Sequence, residues 1–294
     1  MKFNYLLLVL IPFAWSCEMQ IKSKVVTDAE YTEGIEGPAV GKTGSLYVVN
    51  FKKQGTIGVL HPGSKKTELL LELPKESVGN GIRFLNDSVF LVADYVQHQL
   101  LKVKIPNLEI TTYASDSSMN QPNDIAVSKA GVVYASDPNW SKSTGQLWMI
   151  DQQRKAYLIE QNMGTTNGVE VSANEKYLYV NESVQRKVWR YELNSSGTPV
   201  NKQLFFEFED FGMDGMRCDS QGNLYIARYD KGTVAVLSKN GKLRYEVELK
   251  GKKPTNVAFG GNDGTLVYVT LQDKKWIECF NAEFPGRAFE LLKH

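Results

Sequence analysis

The stretch MDGMRCDSQGNLYIA, Met213–Ala227, places an acidic residue at the head of an apolar run and a tyrosine eleven residues further on. Short apolar runs with a central aromatic residue recur along the chain. The central residues are Tyr47, Phe90, Tyr134, Tyr179, Tyr225 and Tyr268. The steps between them are 43, 44, 45, 46 and 43 residues, so the chain contains six units of about 44 residues.

Each unit contains four short runs separated by turn-forming residues. The third unit shows three of them, PNDIAV, GVVYASD and GQLWMI, and TELLLEL and KQLFFEF are closing runs of other units. Four short strands repeated every 40 to 50 residues are typical of the blades of a propeller. A pair of β-sandwich domains has no reason to keep this period. We therefore predict an all-β fold, a six-bladed β-propeller of four-stranded blades, over residues 18–294.

Two segments are candidates for the strand that closes the propeller. SKVVTDAEY, residues 23–31, precedes Glu36 by about the distance at which TELLLEL precedes Asn80. This spacing favours the N-terminal run as the outer strand of the last blade. The competing candidate is RAFELL near the C-terminus, residues 287–292, and the sequence leaves both open.

The N-terminus has the features of an export signal. Lys2 precedes the apolar run YLLLVLIPFAW, which is too short to span a bilayer comfortably. AWSC then resembles the end of a bacterial lipoprotein signal, although Ala14 and Trp15 replace the usual leucine and small residue. We expect residues 1–17 to be a signal peptide cut before a lipidated Cys17. The protein would be membrane-anchored, periplasmic or at the cell surface; the alternative is a secreted protein.

The composition excludes some classes of partner. With 34 basic and 33 acidic residues the net charge is +1, so we expect no binding to nucleic acid and membrane contact through the lipid anchor only. We expect a monomer that acts on a small molecule. Cys218 and Cys279 fall in different repeats and are predicted to be free. A cysteine nucleophile is disfavoured because the chain has only three histidines.

Alignment of the units on their aromatic residues brings one further position into register. Its occupants all carry a side-chain oxygen: Glu36, Asn80, Asn123, Asn167, Asp214 and Asn256. The first strand of each blade lines the central channel of a propeller, so these side chains should converge on one axis. Burial of carboxylates and amides costs hydration free energy, and a bound hard cation compensates for that cost. The preference of Asn and Asp for strand ends does not explain six such residues in register.

This ring of oxygen atoms predicts one divalent cation as the cofactor. Ca²⁺ is the ion we expect, because it takes six to eight oxygen ligands. Mg²⁺, Mn²⁺ and Zn²⁺ are alternatives, although the ring lacks the His and Cys ligands that Zn²⁺ prefers.

Several motifs together resemble the senescence marker protein/gluconolactonase family, which includes regucalcin-like lactonases. They are EGPAV, QPNDIAVSKAGVVYASD, TTNGVEVSANEKYLYVNES, MDGMRCDSQGNLYIA and PTNVAFGG. The resemblance implies a metal bound by Glu36, Asn167 and Asp214. Asn123 would be a further ligand or a substrate contact, and Asp214 would be the general base or only a ligand.

The resemblance implies a metal-dependent hydrolase of a lactone or similar ester. Asn80 and Asn256 are substrate-facing candidates from the repeat register, and Gln121 stands where sugar-acid lactonases of this family typically carry an arginine. A neutral amide cannot make the charge-assisted fork of an arginine, which argues against gluconolactone. We expect Arg83 and Arg217 to point away from the channel. The alternative function is a non-catalytic propeller that binds a glycan or protein and holds a structural cation.

Overall fold

The computed structural model describes residues 21–292, which contain twenty-four strands, one 3₁₀ helix and one α-helix. The predicted signal peptide and the lipidation site Cys17 lie outside the described residues. They therefore stay predictions. Among residues 21–292, no helix has the length and apolar character needed to cross a membrane.

The strands form six four-stranded antiparallel sheets, each a blade. The chain begins with β1 (Lys24–Val25). Blade 1 contains β2 (Tyr31–Val40), β3 (Leu46–Phe51), β4 (Thr56–Leu60) and β5 (Glu68–Glu72). Blade 2 contains β6 (Gly79–Asn86), β7 (Val89–Asp94), β8 (Gln99–Lys104) and β9 (Glu109–Ser115). Blade 3 contains β10 (Ile125–Val127), β11 (Val133–Asn139), β12 (Thr144–Ile150) and β13 (Ala156–Met163), with a 3₁₀ helix at Trp140–Lys142.

The second half of the chain repeats this order. Blade 4 contains β14 (Thr166–Val171), β15 (Tyr177–Glu182), β16 (Lys187–Leu193) and β17 (Pro199–Glu207). Blade 5 contains β18 (Met216–Cys218), β19 (Leu224–Arg228), β20 (Thr233–Leu237) and β21 (Leu243–Glu248). Blade 6 contains β22 (Pro254–Gly260), β23 (Leu266–Leu271) and β24 (Trp276–Asn281). The inner strands of successive blades contact each other, and β22 contacts β2, which closes the ring. The predicted six-bladed propeller is confirmed.

The N-terminal run supplies the fourth strand of blade 6. β1 pairs with β24 in antiparallel register, with Lys24 opposite Cys279. The backbone N–H of Val26 extends this pairing by donating to the carbonyl of Ile277 at 2.8 Å. The competing segment RAFELL forms a helix instead, α1 (Arg287–Leu292). Closure by strands from both termini satisfies the backbone groups that an open edge would expose.

The repeated aromatic residues all lie on the second strand of a blade, and they pack blades together. Tyr47 of blade 1 lies 5.4 Å from Phe84 and 5.6 Å from Phe90 of blade 2, measured between ring centroids. Tyr225 of blade 5 lies 5.0 Å from Phe259 of blade 6. Such pairs contribute about 0.5–1.5 kcal/mol each beyond the area they bury. The 44-residue period thus places aromatic residues at the contacts between blades 1 and 2 and between blades 5 and 6.

Both cysteines in the described part of the chain are free, as predicted. Cys218 is buried on the inner strand of blade 5, and Cys279 is half-buried on β24. Burial raises the pKa of both thiols, Cys218 well above its ordinary value, which keeps them protonated and unreactive.

Candidate functional site

A cavity of about 690 Å³ opens at one end of the channel, and the predicted ring of oxygen-bearing residues forms its floor. Five of the six ring residues line it, each from a different blade: Glu36, Asn80, Asn123, Asn167 and Asp214. Gln121 lines the cavity as well. Asn256 is fully buried and is not among the lining residues. We therefore interpret Asn256 as a support for the floor rather than as a substrate contact.

Glycines next to the ring residues let neighbouring blades approach closely at the floor. Gly37 has φ of 60°, and a Cβ built on it would lie 2.0 Å from the carbonyl oxygen of Asn80. A Cβ on Gly215 would lie 1.9 Å from Cγ of Asn256. Only a glycine leaves room for the next blade at these positions. The sequence pattern of an oxygen-bearing residue followed by glycine is therefore a consequence of ring packing.

Hydrogen bonds from neighbouring blades hold the two acidic ring residues. Asn256 donates through Nδ2 to Oε2 of Glu36 at 3.0 Å, and the N–H of Gly37 donates to the same oxygen. The side chain of Asn167 bonds to the carboxylate of Asp214. Asn181 Nδ2 donates to the backbone carbonyl of Asp214 at 2.7 Å. Each carboxylate is oriented before any ligand binds.

Several oxygen atoms of the floor are left without a donor. Four buried side-chain oxygens of the ring have no hydrogen-bond partner within residues 21–292: Glu36 Oε1, Asn80 Oδ1, Asn123 Oδ1 and Asn167 Oδ1. They come from four consecutive blades and border one cavity. A buried acceptor without a partner costs free energy, on the order of 1–3 kcal/mol each. Oxygen donors of this kind fit a hard divalent cation such as Ca²⁺.

The described residues contain no group of three or more His, Cys, Asp and Glu side chains of the kind that holds many metals. The ring instead combines two carboxylates with amide oxygens. This donor set suits Ca²⁺ or Mg²⁺ better than Zn²⁺.

The two ring carboxylates lack a positively charged partner. No lysine or arginine in the described part of the chain forms an ion pair with Glu36 or Asp214. Burial, and next the charge of Asp124, raises the pKa of Glu36 to about 8. Burial, and next the charge of Glu36, raises the pKa of Asp214 well above its ordinary value. A cation between the two would offset both the lost hydration and the repulsion that raise these pKa values.

A buried ionic cluster crosses the channel beneath the ring. Arg83 Nη2 lies 3.1 Å from Asp124 Oδ1, and Arg217 Nη1 lies 3.0 Å from Asp124 Oδ2. These three residues come from blades 2, 3 and 5, and all are buried. Glu170 of blade 4 extends the cluster to Arg287 of α1, at 3.2 Å. The cluster separates the upper cavity from a second one of about 480 Å³ beside α1.

Our expectation that Arg83 and Arg217 point away from the channel was wrong. We assumed that each arginine lies on a regular strand together with the ring residue three positions earlier. On such a strand the two side chains would point to opposite faces. The register of β6 against β7 shifts between Gly79 and Ile82, which breaks the alternation in blade 2. In blade 5 the ring residue lies ahead of β18, which begins at Met216, so no strand alternation applies.

The sequence does contain a signal for this cluster, and we did not use it. The position three residues after the ring position is occupied by Ala39, Arg83, Ala126, Glu170, Arg217 and Phe259. Three of the six repeats thus carry a charged residue on the channel-lining strand. A buried charge without a partner of opposite charge costs free energy. They indicate a second polar layer, completed by Asp124.

A buried aspartate positions the loop that carries Gln121. Asp137 accepts hydrogen bonds from the backbone N–H groups of Asn120, at 2.9 Å, and of Gln121, at 2.5 Å. Its other partner is Nε1 of Trp148, at 2.9 Å. Gln121 is thereby placed on the cavity wall, while Trp140, just after β11, forms part of the cavity mouth.

The family model described as SMP-30/gluconolactonase/LRE-like region matches residues 35–273. The chain belongs to this family. The match includes all six ring positions, from Glu36 to Asn256.

Named relatives of this SMP-30/gluconolactonase family protein include lactonases. A 6-deoxy-6-sulfogluconolactonase of Pseudomonas putida is 32% identical over 132 residues, 44% of this chain and 45% of that protein. A gluconolactonase of Zymomonas mobilis is 27% identical over 218 residues, 65% of this chain and 60% of that protein. The chain thus matches about half the length of these curated relatives. The crystal structure of a calcium-binding protein, regucalcin from Agrobacterium tumefaciens, has the same fold, with a TM-score of 0.79 at 20% identity over 91% of this chain and 95% of that one.

We predict that Gly215→Ala in this family protein will disrupt the floor. The new methyl group would overlap the side chain of Asn256, which must move and release Glu36. The free energy of unfolding should fall by about 1–3 kcal/mol, measured by urea denaturation. Gly212→Ala is the matched control, because the nearest atom to its Cβ is the Ser183 hydroxyl at 3.3 Å. Equal effects of both variants would contradict the packing argument.

The pH dependence of stability in metal-free protein provides a second test. The folded pKa of Glu36, about 8, exceeds its ordinary value of 4.5, so the folded state retains a proton that the unfolded chain releases. With a chelator present, the free energy of unfolding should therefore fall as pH rises from about 4.5 towards 8. Glu36→Gln should flatten this decline, whereas Glu209→Gln, at an exposed position, should leave it intact. A decline that is identical in wild type and Glu36→Gln would refute this assignment.

Proposed function

We propose that the protein is a divalent-metal-dependent hydrolase of a lactone or similar ester. The observation that carries the proposal is the set of unpartnered buried oxygens on the floor of an open cavity. The relatives named gluconolactonase and sulfogluconolactonase support the substrate class. The regucalcin described as calcium-binding supports Ca²⁺ as the ion.

Glu36, Asn167 and Asp214 would hold the cation, and Asn123 would be a further ligand or a contact to the substrate. When bound, the ion would polarise the carbonyl group of the substrate and lower the pKa of a water molecule. The chain supplies the preorganisation, since Asn256 and the Gly37 N–H fix Glu36 and Asn167 fixes Asp214.

Asp214 is the residue suited to move a proton. Its carboxylate borders the cavity and is held by Asn167, so it would accept the proton of the attacking water at one carboxylate oxygen. The water oxygen bonds to the carbonyl carbon, the ring C–O bond breaks, and the proton passes to the leaving alkoxide. The product is a hydroxy acid. Asn123 on the floor and Gln121 on the wall of the same cavity would orient the ester group.

The second candidate function is a propeller that binds a glycan or protein and holds a purely structural ion. A structural ion is expected to be enclosed by protein ligands, whereas a catalytic ion keeps a position open to substrate. The cavity above the ring favours the catalytic alternative.

The test is hydrolysis of a panel of lactones and esters by the chain beginning at residue 18, with Ca²⁺, Mg²⁺, Mn²⁺ or Zn²⁺ added after chelation. Asp214→Ala should lower kcat/KM by about 10²-fold or more, because both a ligand and the base are lost. Asn123→Ala should lower it less. Asp28→Ala, at an exposed position outside the cavity, is the control.

Metal-dependent turnover that survives Asp214→Ala would exclude Asp214 as the base. If no substrate is turned over but Ca²⁺ raises Tm in an Asp214-dependent manner, the ion is structural and the binding alternative replaces the hydrolase.

We also propose that this hydrolase acts outside the cytoplasm, attached to a membrane through Cys17. The support is the AWSC segment after a short apolar run. In cells, Cys17→Ser should move the protein from the membrane fraction to the soluble exported fraction, followed by immunoblotting. Ser16→Ala serves as the neighbouring control. Unchanged membrane association of Cys17→Ser would remove the lipid anchor from the proposal.

A further inference from the structure

Building on the proposed hydrolase, we propose that its substrates are lactones with an apolar substituent rather than polyhydroxylated sugar-acid lactones. The mouth of the upper cavity carries this inference. We define the mouth as the side chains that line the cavity above the ring.

Large apolar side chains are exposed at the mouth. Trp140, Val184 and Phe211 line the cavity and are 44%, 57% and 47% exposed. They come from the 3₁₀ helix after β11, the turn after β15 and the link between β17 and β18. Single exposed apolar residues need no explanation, but several that converge on one opening mark a binding surface. The mouth is therefore built to contact an apolar group.

The apolar character follows the repeat. The turn after the second strand contributes a residue to the cavity wall in five successive blades: Tyr95, Trp140, Val184, Tyr229 and Gln272. The first four are aromatic or aliphatic, so an apolar arc spans blades 2 to 5. Tyr229 donates its hydroxyl hydrogen to Oε1 of Gln272, which occupies the polar end of that side chain. The Tyr229 ring lines the cavity, with Lys253 Nζ 5.5 Å from the ring centroid.

The charges around the cavity do not select the substrate. The charged lining residues are Glu33, Glu36, Asp214, Asp230 and Arg186. Lys275 pairs with Glu33 at 3.3 Å and Lys253 pairs with Asp230 at 3.9 Å, and the proposed divalent cation would balance Glu36 and Asp214. Arg186 is exposed, and its Nη1 already donates to the carbonyl of Glu209 at 2.8 Å. The apolar side chains of the mouth therefore carry the selection.

Hydroxyl groups of a sugar lactone would lack partners where they meet Trp140 and Val184, although polar residues such as Gln121 and Asp230 line other parts of the cavity. The position that could grip them with a charged fork holds Gln121, and the arc from Tyr95 to Val184 offers apolar surface. A hydroxyl buried there without a partner lowers affinity. An alkyl or aryl substituent in the same place gains from leaving water, about fourfold in kcat/KM for each added methylene.

The experiment compares 5-alkyl δ-lactones with no, propyl and pentyl substituents against glucono-δ-lactone, using the chain from residue 18 with Ca²⁺. We expect kcat/KM to rise with chain length and the pentyl compound to exceed glucono-δ-lactone by at least tenfold. Hydrolysis of glucono-δ-lactone that equals or exceeds the alkyl series would overturn this inference and leave the proposed hydrolase intact. No hydrolysis of any lactone would overturn both.

Two variants assign the preference to the mouth. Trp140→Ser and Phe211→Ser should each reduce the increase of kcat/KM with chain length by threefold or more. Leu204→Ser is the matched control, since Leu204 is 50% exposed on the outer strand β17 and lies away from the cavity. An unchanged chain-length dependence in both mouth variants, or an equal loss in Leu204→Ser, would show that the mouth does not select the substrate.

Discussion

The convergence of Glu36, which is buried, and Asp214, which is partly buried, on the propeller axis is the constraint that organises the site. The two carboxylates repel each other and lose hydration, and no arginine or lysine of residues 21–292 pairs with them. Neighbouring residues orient both groups without neutralising them. The surrounding amide oxygens of Asn80, Asn123 and Asn167 add further unpartnered acceptors. Without a cation, these raised pKa values mean that the floor retains protons, and the proposed cation would take their place.

A contrast one layer deeper supports this interpretation. Asp124 is more deeply buried than the ring carboxylates, and two arginines contact it directly. Guanidinium groups therefore pair with the structural carboxylate of Asp124, whereas no guanidinium group of residues 21–292 pairs with the carboxylates that border the cavity. The Asp124 cluster also divides the channel, so the cavity above the ring is separate from the one beside α1. A ligand of the floor would enter through the mouth.

Floor and mouth arise from two different positions of the same repeat. The head of each inner strand provides the ring, and the turn after the second strand contributes to the mouth in five of the blades. The ring keeps oxygen-bearing residues in all six blades, which suits an ion that needs many similar ligands. The mouth residues differ from blade to blade, from Tyr95 and Trp140 to Gln272. Such variation suits a site that recognises one face of a small molecule. One repeat can therefore combine a common metal floor with a specific opening.

The sequence alone determined the number of blades, the strand that carries each aromatic residue and the ring of oxygen donors, because these follow from a period of about 44 residues. Only the tertiary structure decided the rest. Asn256 lies behind Glu36 rather than on the cavity wall, and Arg83 and Arg217 turn into the channel to meet Asp124. Both outcomes depend on local irregularities at the head of the inner strands, where strand periodicity no longer predicts direction. The choice of β1 over α1 for ring closure likewise required the two chain ends to be placed in space.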